Sequence, residues 1–260
     1  MPKTAILSDI HGNLHALRAV LAEIDAMGIE EIVCGGDTVG YGSQSAACVA
    51  LIRERSTLCV LGNHGYYLGL LATQGRGILP ERWKLNPVWA GIALAEQQLD
   101  KDALEWLDSL PWINQLEGSV LVHASLHEPE KWHYLTDVAS TLATIEILRG
   151  KKRNIGFFGH THRLAIFADP KAHAKVTGLG TDRFFVPANL ACAITCGSVG
   201  QPREVDDHRA SWVLWDPDER VIEFRRTKYP AIKAAKEILA AGLPPVSASR
   251  LLSQKETSEL

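Results

Sequence analysis

Three short apolar runs alternate with helical patterns over the first 64 residues, and this alternation restricts the fold more than any other feature of the chain. The runs are "TAILSD" at 4–9, "EIVCGGD" at 31–37 and "TLCVLGNH" at 57–64. Each begins apolar and ends polar, as a buried strand does where it leaves the core. Between the first two, Leu14, Leu17, Val20, Leu21 and Ile24 recur at helical spacing. Asn13 suits the N-cap of that helix and Gly28 its C-terminal stop. A second helix is expected over Ser45 to Glu54. Strand and helix in turn predict a parallel sheet with helices packed on it, an α/β fold.

The later chain changes rhythm. Residues 66–110 read as helical, carrying Trp83, Trp89 and Trp106, with breaks at Pro80 and Pro87. The Trp-rich part is expected to pack as helices and to form at most a partial lid. "SVLVHAS" at 119–125 and "IGFFGHTH" at 155–162 read as strands on either side of a helix over "VASTLATIEIL" at 138–148. The stretches "RLAIF", "RFFV", "ACAITC", "SWVLWD" and "RVIEFRR" then read as short strands joined by turns, before a helix over Ala231 to Ala241. The whole suggests two sheets in one domain, residues 1–243, with a polar, loosely held tail over 244–260.

Composition narrows the partners. Formal net charge is −3, and the longest basic run is "GKKR" at 150–153. A protein that grips nucleic acid by its phosphates needs a basic patch, so that partner is disfavoured. No apolar run approaches the roughly 20 residues of a membrane span, and the N-terminus has no signal-peptide pattern. A cytoplasmic protein without a membrane partner is expected. The five cysteines, Cys34, Cys48, Cys59, Cys192 and Cys196, are odd in number and sit in apolar stretches. They read as buried free thiols.

The polar groups at the predicted strand ends form one set. Asp9 and His11 follow the first strand, Asp37 the second, and Asn63 and His64 the third. His123 follows "VLV", and His160 with His162 follows "IGFF". In open α/β sheets, ligand sites gather outside the carboxyl ends of the strands. Mixed imidazole and carboxylate donors suit Mn, Fe, Zn or similar divalent ions better than Ca alone or a thiolate site. So many groups exceed the needs of one tetrahedral ion and suit two ions sharing a carboxylate. Two such ions are the arrangement that clamps both oxygens of a phosphoryl displacement.

In order, "SDIHGN", "GGDTVGYG", "LGNH", "VHAS" and "GHTH" resemble the motif set of the calcineurin-like metallophosphoesterases. The later "GSVGQPR" and "RASWVLWD" look like the bacterial and archaeal subgroup described as predicted phosphodiesterases, related to diadenosine tetraphosphatase and Ser/Thr protein phosphatases. The resemblance spans residues 4 to about 216. It implies a four-layer αββα sandwich with a dinuclear centre at the sheet edge. By this resemblance Asp9, His11 and His162 hold one metal, Asn63, His123 and His160 the other, and Asp37 bridges them. All seven positions carry the expected residue type. The metals are expected to be manganese, with Fe, Zn, Ni, Co or Mg as alternatives.

The resemblance further implies a phosphodiester, nucleotide or dinucleoside polyphosphate as substrate, hydrolysed by in-line attack of a hydroxide bridging the metals. A phosphomonoesterase or phosphoprotein phosphatase is the alternative, and a non-catalytic scaffold a more distant one. His64 is then the general acid that protonates the departing oxygen. Arg203 and Arg209, and Asn63 beside the metal, are candidates for phosphate oxygens, with an internal salt bridge the competing reading for the arginines. Gly65 departs from the family, which most often carries an acidic residue there; a carboxylate would orient His64 and raise its pKa. Ala124 replaces a more usual glycine, and His208 lies in a stretch that differs in detail from the subgroup.

Other residues are near by sequence alone. His15 is expected on a solvent face of the first helix. Tyr41, Tyr66, Tyr67, His127, Trp132, His133 and Tyr134 are rim candidates. The turn Gly197, Ser198, Val199, Gly200 has amides that could face an anion or simply close a tight turn.

Overall fold

Alternation along β1 (Thr4–Leu7) decides the layering of the molecule. Ala5 and Leu7 pack with Leu17, Val20 and Ile24 of α1 (Leu14–Ala26) and Cys48 and Ile52 of α2 (Ser45–Arg55). Ile6, between them, packs in a different core, between two sheets. These relations come from a computed structural model that describes residues 2–116, 118–152 and 154–258. Arg153 of the basic run and the last two residues of the tail lie outside the described residues. Asn13 caps α1 as its side chain suggests, accepting from the Ala16 amide at 3.1 Å.

β2 (Glu31–Cys34) pairs in parallel with β1, and β3 (Leu58–Cys59) with β2. The third strand is shorter than its apolar run suggests. Beyond Cys59 the chain still bonds, through Val60 to Cys34 and Leu61 to Pro111, but Asn63 already begins α3 (Asn63–Gln74). α4 (Pro87–Gln98) and α5 (Lys101–Asp108) complete the helical segment. Leu68, Leu71, Ile92 and Leu107 form its own core, with Trp83, Trp89 and Trp106 at the edge. Pro87 stands at the first turn of α4, where a missing amide proton costs little.

The second sheet opens with a hairpin that an apolar-run criterion passes over, because Asn114 and Gln115 interrupt its first strand. β4 (Ile113–Leu116) runs antiparallel to β5 (Ser119–Val122). α6 (Val138–Leu148) fills its expected range, followed by β6 (Ile155–Phe158) and β7 (Leu164–Ala168). Then come β8 (Thr177–Gly178), β9 (Arg183–Phe185), β10 (Cys192–Cys196), β11 (Ala210–Asp216) and β12 (Val221–Thr227). One sheet has the order β3-β2-β1-β11-β12-β9-β8, the other β4-β5-β6-β10-β7. Ile6, Val33, Leu121, Phe157, Ile194, Val213 and Trp215 fill the space between them. On the far side of the second sheet, Ile145 and Leu148 of α6 cover Phe158 and Ala193. The result is the four-layer αββα sandwich. All five cysteines are buried and free, and Cys192 and Cys196 share the inter-sheet face.

The tail is not loose. After α7 (Ala231–Ala240), the short helices α8 (Pro245–Ser249) and α9 (Gln254–Thr257) continue the fold. Ala248, Leu251 and Leu252 are buried against Ala234, Ala235 and Ile238 of α7 and Ala90 of α4. A few apolar residues at the right spacing anchor an otherwise polar segment. Among the described residues, no helix is long and apolar enough to cross a membrane. Leu251→Ala is expected to lower unfolding stability by about 2–5 kcal/mol in a urea titration; an unchanged midpoint would mean that the tail contributes no packing.

Candidate metal centre

Parallel pairing of β1 with β2, of β2 with β3 and of β5 with β6 turns the carboxyl ends of these strands toward one edge. The residues that follow them, Asp9, His11, Asp37, Asn63, His64, His123, His160 and His162, are all buried. Five adopt the left-handed backbone that side chains disfavour: Asp9 (φ 54°), His11 (49°), Asp37 (52°), His160 (63°) and His162 (59°). Such strain persists only where surrounding structure enforces it, and it concentrates at functional sites.

Backbone groups orient nearly every donor. The Nδ1–H groups of His11, His123 and His162 donate to the carbonyls of Val39 (3.0 Å), Gly35 (2.7 Å) and Gln201 (2.7 Å). That fixes each tautomer and aims Nε2 inward. Asp9 Oδ2 accepts the His160 amide at 2.9 Å, leaving Oδ1 free. Asp37 Oδ1 accepts the His64 amide at 2.8 Å, so Asp37 caps the N-terminus of α3 from a distant loop. Both contacts need glycine beside them. A Cβ on Gly62 would collide with Asp37 Oδ1, and one on Gly159 with Asp9 Oδ2.

The inward atoms crowd together. His162 Nε2 lies 3.2 Å from both His11 Nε2 and Asp9 Oδ1. Asp37 Oδ2 lies 3.4 Å from His123 Nε2, 3.8 Å from His11 Nε2 and 4.0 Å from His64 Nε2. Asn63 Oδ1 is 3.1 Å from His123 Nε2. With the rings neutral, these are acceptors facing acceptors, an arrangement that calls for cations. Two donors each about 2.1 Å from a shared ion, at about 100°, lie about 3.2 Å apart. The donor set therefore fits divalent metal. His160 stands slightly apart: its ring is 5.2 Å from that of His123, and its Nε2 has no hydrogen-bond partner.

Electrostatics agree with the geometry. Burial would raise Asp37, yet His123 and His64 hold it well below the usual carboxylate range. Burial would likewise raise Asp9, but His162 and His11 outweigh it and hold it well below that range. Burial pushes His64 and His160 down to about 3 and His162 to about 4. His123 goes the other way: against burial, Asp37 and Asp9 raise it to about 9, the mark of a place that attracts positive charge.

Around this centre the other candidates separate. Tyr41 packs 4.6 Å from the His11 ring and 4.7 Å from the His64 ring. Tyr134 stacks on His160 at 4.0 Å, and Trp132 meets His123 edge-on at 5.9 Å. Tyr66 joins Trp132 at 6.0 Å, whereas Tyr67 packs on Trp89. His127 and His133 both turn to Glu128, at 3.3 and 3.4 Å. Arg203 reaches the Tyr41 hydroxyl at 3.5 Å and Gln201 at 3.1 Å. Arg209 is placed differently, its fork closed on Asp207 at 2.9 and 2.6 Å. His15 pairs with Glu237 at 3.0 Å instead of facing solvent.

The amides of Val199 and Gly200 do not face an anion. They donate to Ser8 O and Asp9 O, each at 3.0 Å. The Ser198 hydroxyl also donates to Asp9 O at 2.7 Å. This turn, with Gln201, is the support for Asp9 and His162 that the sequence did not expose. Its glycine bracketing was the only visible signal.

Comparison with known proteins places the molecule. The family model for calcineurin-like phosphoesterases matches residues 2–164. An uncharacterised protein of Methanocaldococcus jannaschii is 32% identical over 252 residues, covering 95% of this chain and 96% of its own. Serine/threonine-protein phosphatase 1 of Salmonella typhimurium is 27% identical over 169 residues, 60% of this chain and 77% of its own. A metallophosphoesterase structure from Sphaerobacter thermophilus superposes with a TM-score of 0.75 at 27% identity, covering 96% of this chain and 98% of that one. A hypothetical protein of Pyrococcus horikoshii gives 0.72 at 16% identity with the same coverage. The chain belongs to the calcineurin-like phosphoesterase family, whose members use divalent metal ions.

Asp37→Asn keeps the shape of the side chain and its contact with α3 but removes the charge at the middle of the centre. It is expected to bind at least one Mn²⁺ fewer per chain in equilibrium dialysis. An unchanged stoichiometry would show that Asp37 is not shared between ions.

Proposed function

We propose that this protein is a dinuclear metal-dependent phosphodiesterase acting on a small phosphorylated compound, nucleotides included. The observation that carries the reading is Asp37 Oδ2, which lies within 4.0 Å of the Nε2 atoms of His11, His123 and His64. One carboxylate oxygen so placed can serve two ions and still lie beside a proton donor. In this reading Asp9, His11 and His162 would hold one ion, Asn63, His123 and His160 the other, and Asp37 would serve both. Divalent ions there, manganese by preference, would supply Lewis acidity and activate water at neutral pH.

The chain's own residues do the rest. Carbonyls of Val39, Gly35 and Gln201 keep the ligand rings in register. Arg203, with a buried Nε lacking any partner, is poised to bind phosphate oxygens. His64 holds the proton for the departing oxygen. Burial disfavours the charged form of its ring, and an arriving phosphoester brings the negative charge that favours protonation. Among the described residues no carboxylate reaches its Nδ1, which has no hydrogen-bond partner, in keeping with glycine at position 65. Proton donation to poor leaving groups is therefore the weakest part of this catalyst.

The name of the Salmonella relative favours phosphomonoester hydrolysis as a second reading, since the same metals serve both reactions. Assay of the Mn²⁺-loaded protein on bis(p-nitrophenyl) phosphate and p-nitrophenyl phosphate separates them. The diester is expected to be the better substrate, and chelation with EDTA to abolish turnover. His64→Ala should cost about 10²–10⁴-fold on an alkyl ester and less on the nitrophenyl esters, whose leaving groups need little help. Full activity on the alkyl ester would remove His64 from the acid role, and no turnover with any divalent ion would favour a non-catalytic scaffold.

A further inference from the structure

A cavity of about 600 Å³ opens beside the centre, with Tyr41, Pro87, Val88, Tyr134, Arg203 and Arg250 in its walls. Two of these residues also touch candidate ligands, Tyr41 against His11 and Tyr134 against His160, so the cavity adjoins the site. Its volume lies in the range of small-molecule pockets and far exceeds what one phosphate group fills. A substrate that reaches the metals can therefore lodge its remaining part here.

The charge of the cavity is unbalanced. Arg203 is tethered through its amide to His162 O at 3.1 Å and through Nη2 to Gln201, while its Nε is unpartnered. Arg250 arrives from the other end of the chain, just past α8, and is exposed, with no ion pair or side-chain hydrogen bond among the described residues. Its backbone is nevertheless fixed, because Ala248 and Leu251 on either side are buried against α7 and α4. Glu204, also in the wall, commits Oε1 to the Leu164 amide at 2.6 Å and gives neither arginine a partner. Two guanidinium groups that pair with no acid among the described residues, set against the single carboxylate of Glu204 and beside tyrosine, proline and valine, form a wall suited to an organic group that bears an anion.

We propose that this cavity receives the part of the substrate beyond the scissile ester, and that this part carries a second phosphate gripped by Arg250 together with Arg203. The proposal rests on the phosphoesterase reading and narrows its substrate class to compounds with two separated phosphates. It also gives the C-terminal segment, which lies beyond the matched family region, a part in recognition.

The test compares adenosine 5′-monophosphate with adenosine 3′,5′-bisphosphate as inhibitors of bis(p-nitrophenyl) phosphate hydrolysis by the Mn²⁺-loaded protein. The bisphosphate is expected to have a Ki at least about tenfold lower, the size of one charge-assisted contact. Arg250→Gln should remove most of that advantage, and Arg250→Lys should restore part of it. Equal inhibition by the two nucleotides, or an advantage that survives Arg250→Gln intact, would overturn the proposal. Absence of any diester hydrolysis would instead strike the phosphoesterase reading, and calorimetric Kd values for the two nucleotides would then decide the cavity's role separately.

Discussion

Buried acceptors facing one another are the constraint on which this structure turns. His11 and His162 present Nε2 atoms 3.2 Å apart, and Asp9, Asp37 and Asn63 add oxygens at similar range. Left bare, such a cluster repels itself, and moving it out of water makes matters worse. The fold nevertheless enforces it through left-handed backbone at five residues and backbone bonds on both carboxylates and three rings. Positive charge at the centre relieves that repulsion, and the rise of His123 against its own burial shows how strongly the two carboxylates attract it. Divalent cations supply that charge, and this need is what couples the fold to its chemistry.

The architecture delivers the cluster in a simple way. Each sheet contributes parallel strands whose carboxyl ends meet at one edge, and each carboxylate crosses to a neighbouring segment. Asp9 accepts the amide after β6, so it ties the two sheets together. Asp37 accepts the amide that starts α3. The glycines before His160 and Asn63 are there because those approaches leave no room for a Cβ. Motifs such as "LGNH" and "GFFGH" are thus packing statements as much as chemical ones.

Much of this was legible in the sequence. The polar residues after β1, β2, β5 and β6 announced the edge, because a core strand has no other use for them. The helix α6 and the cap at Asn13 followed from local chemistry alone. What stayed hidden was non-local. β4 has two polar residues in four and gains its place only by pairing with β5. The strand before Asn63 ends at Cys59, short of its apolar run, because such a run does not reveal where its ladder ends. The segment after Pro244 is mostly polar, yet Ala248, Leu251 and Leu252 are buried, hold it down and bring Arg250 to the cavity. Arg209 illustrates the same limit: its fork fits phosphate and Asp207 equally well, and only the fold shows that Asp207 has taken it.

The central claim is that two ions share Asp37. Anomalous diffraction from a crystal of the Mn²⁺-loaded protein measures this directly. The account predicts two manganese peaks roughly 3.5–4 Å apart, one on either side of the Asp37 carboxylate. A single peak, or two peaks without Asp37 between them, would contradict it.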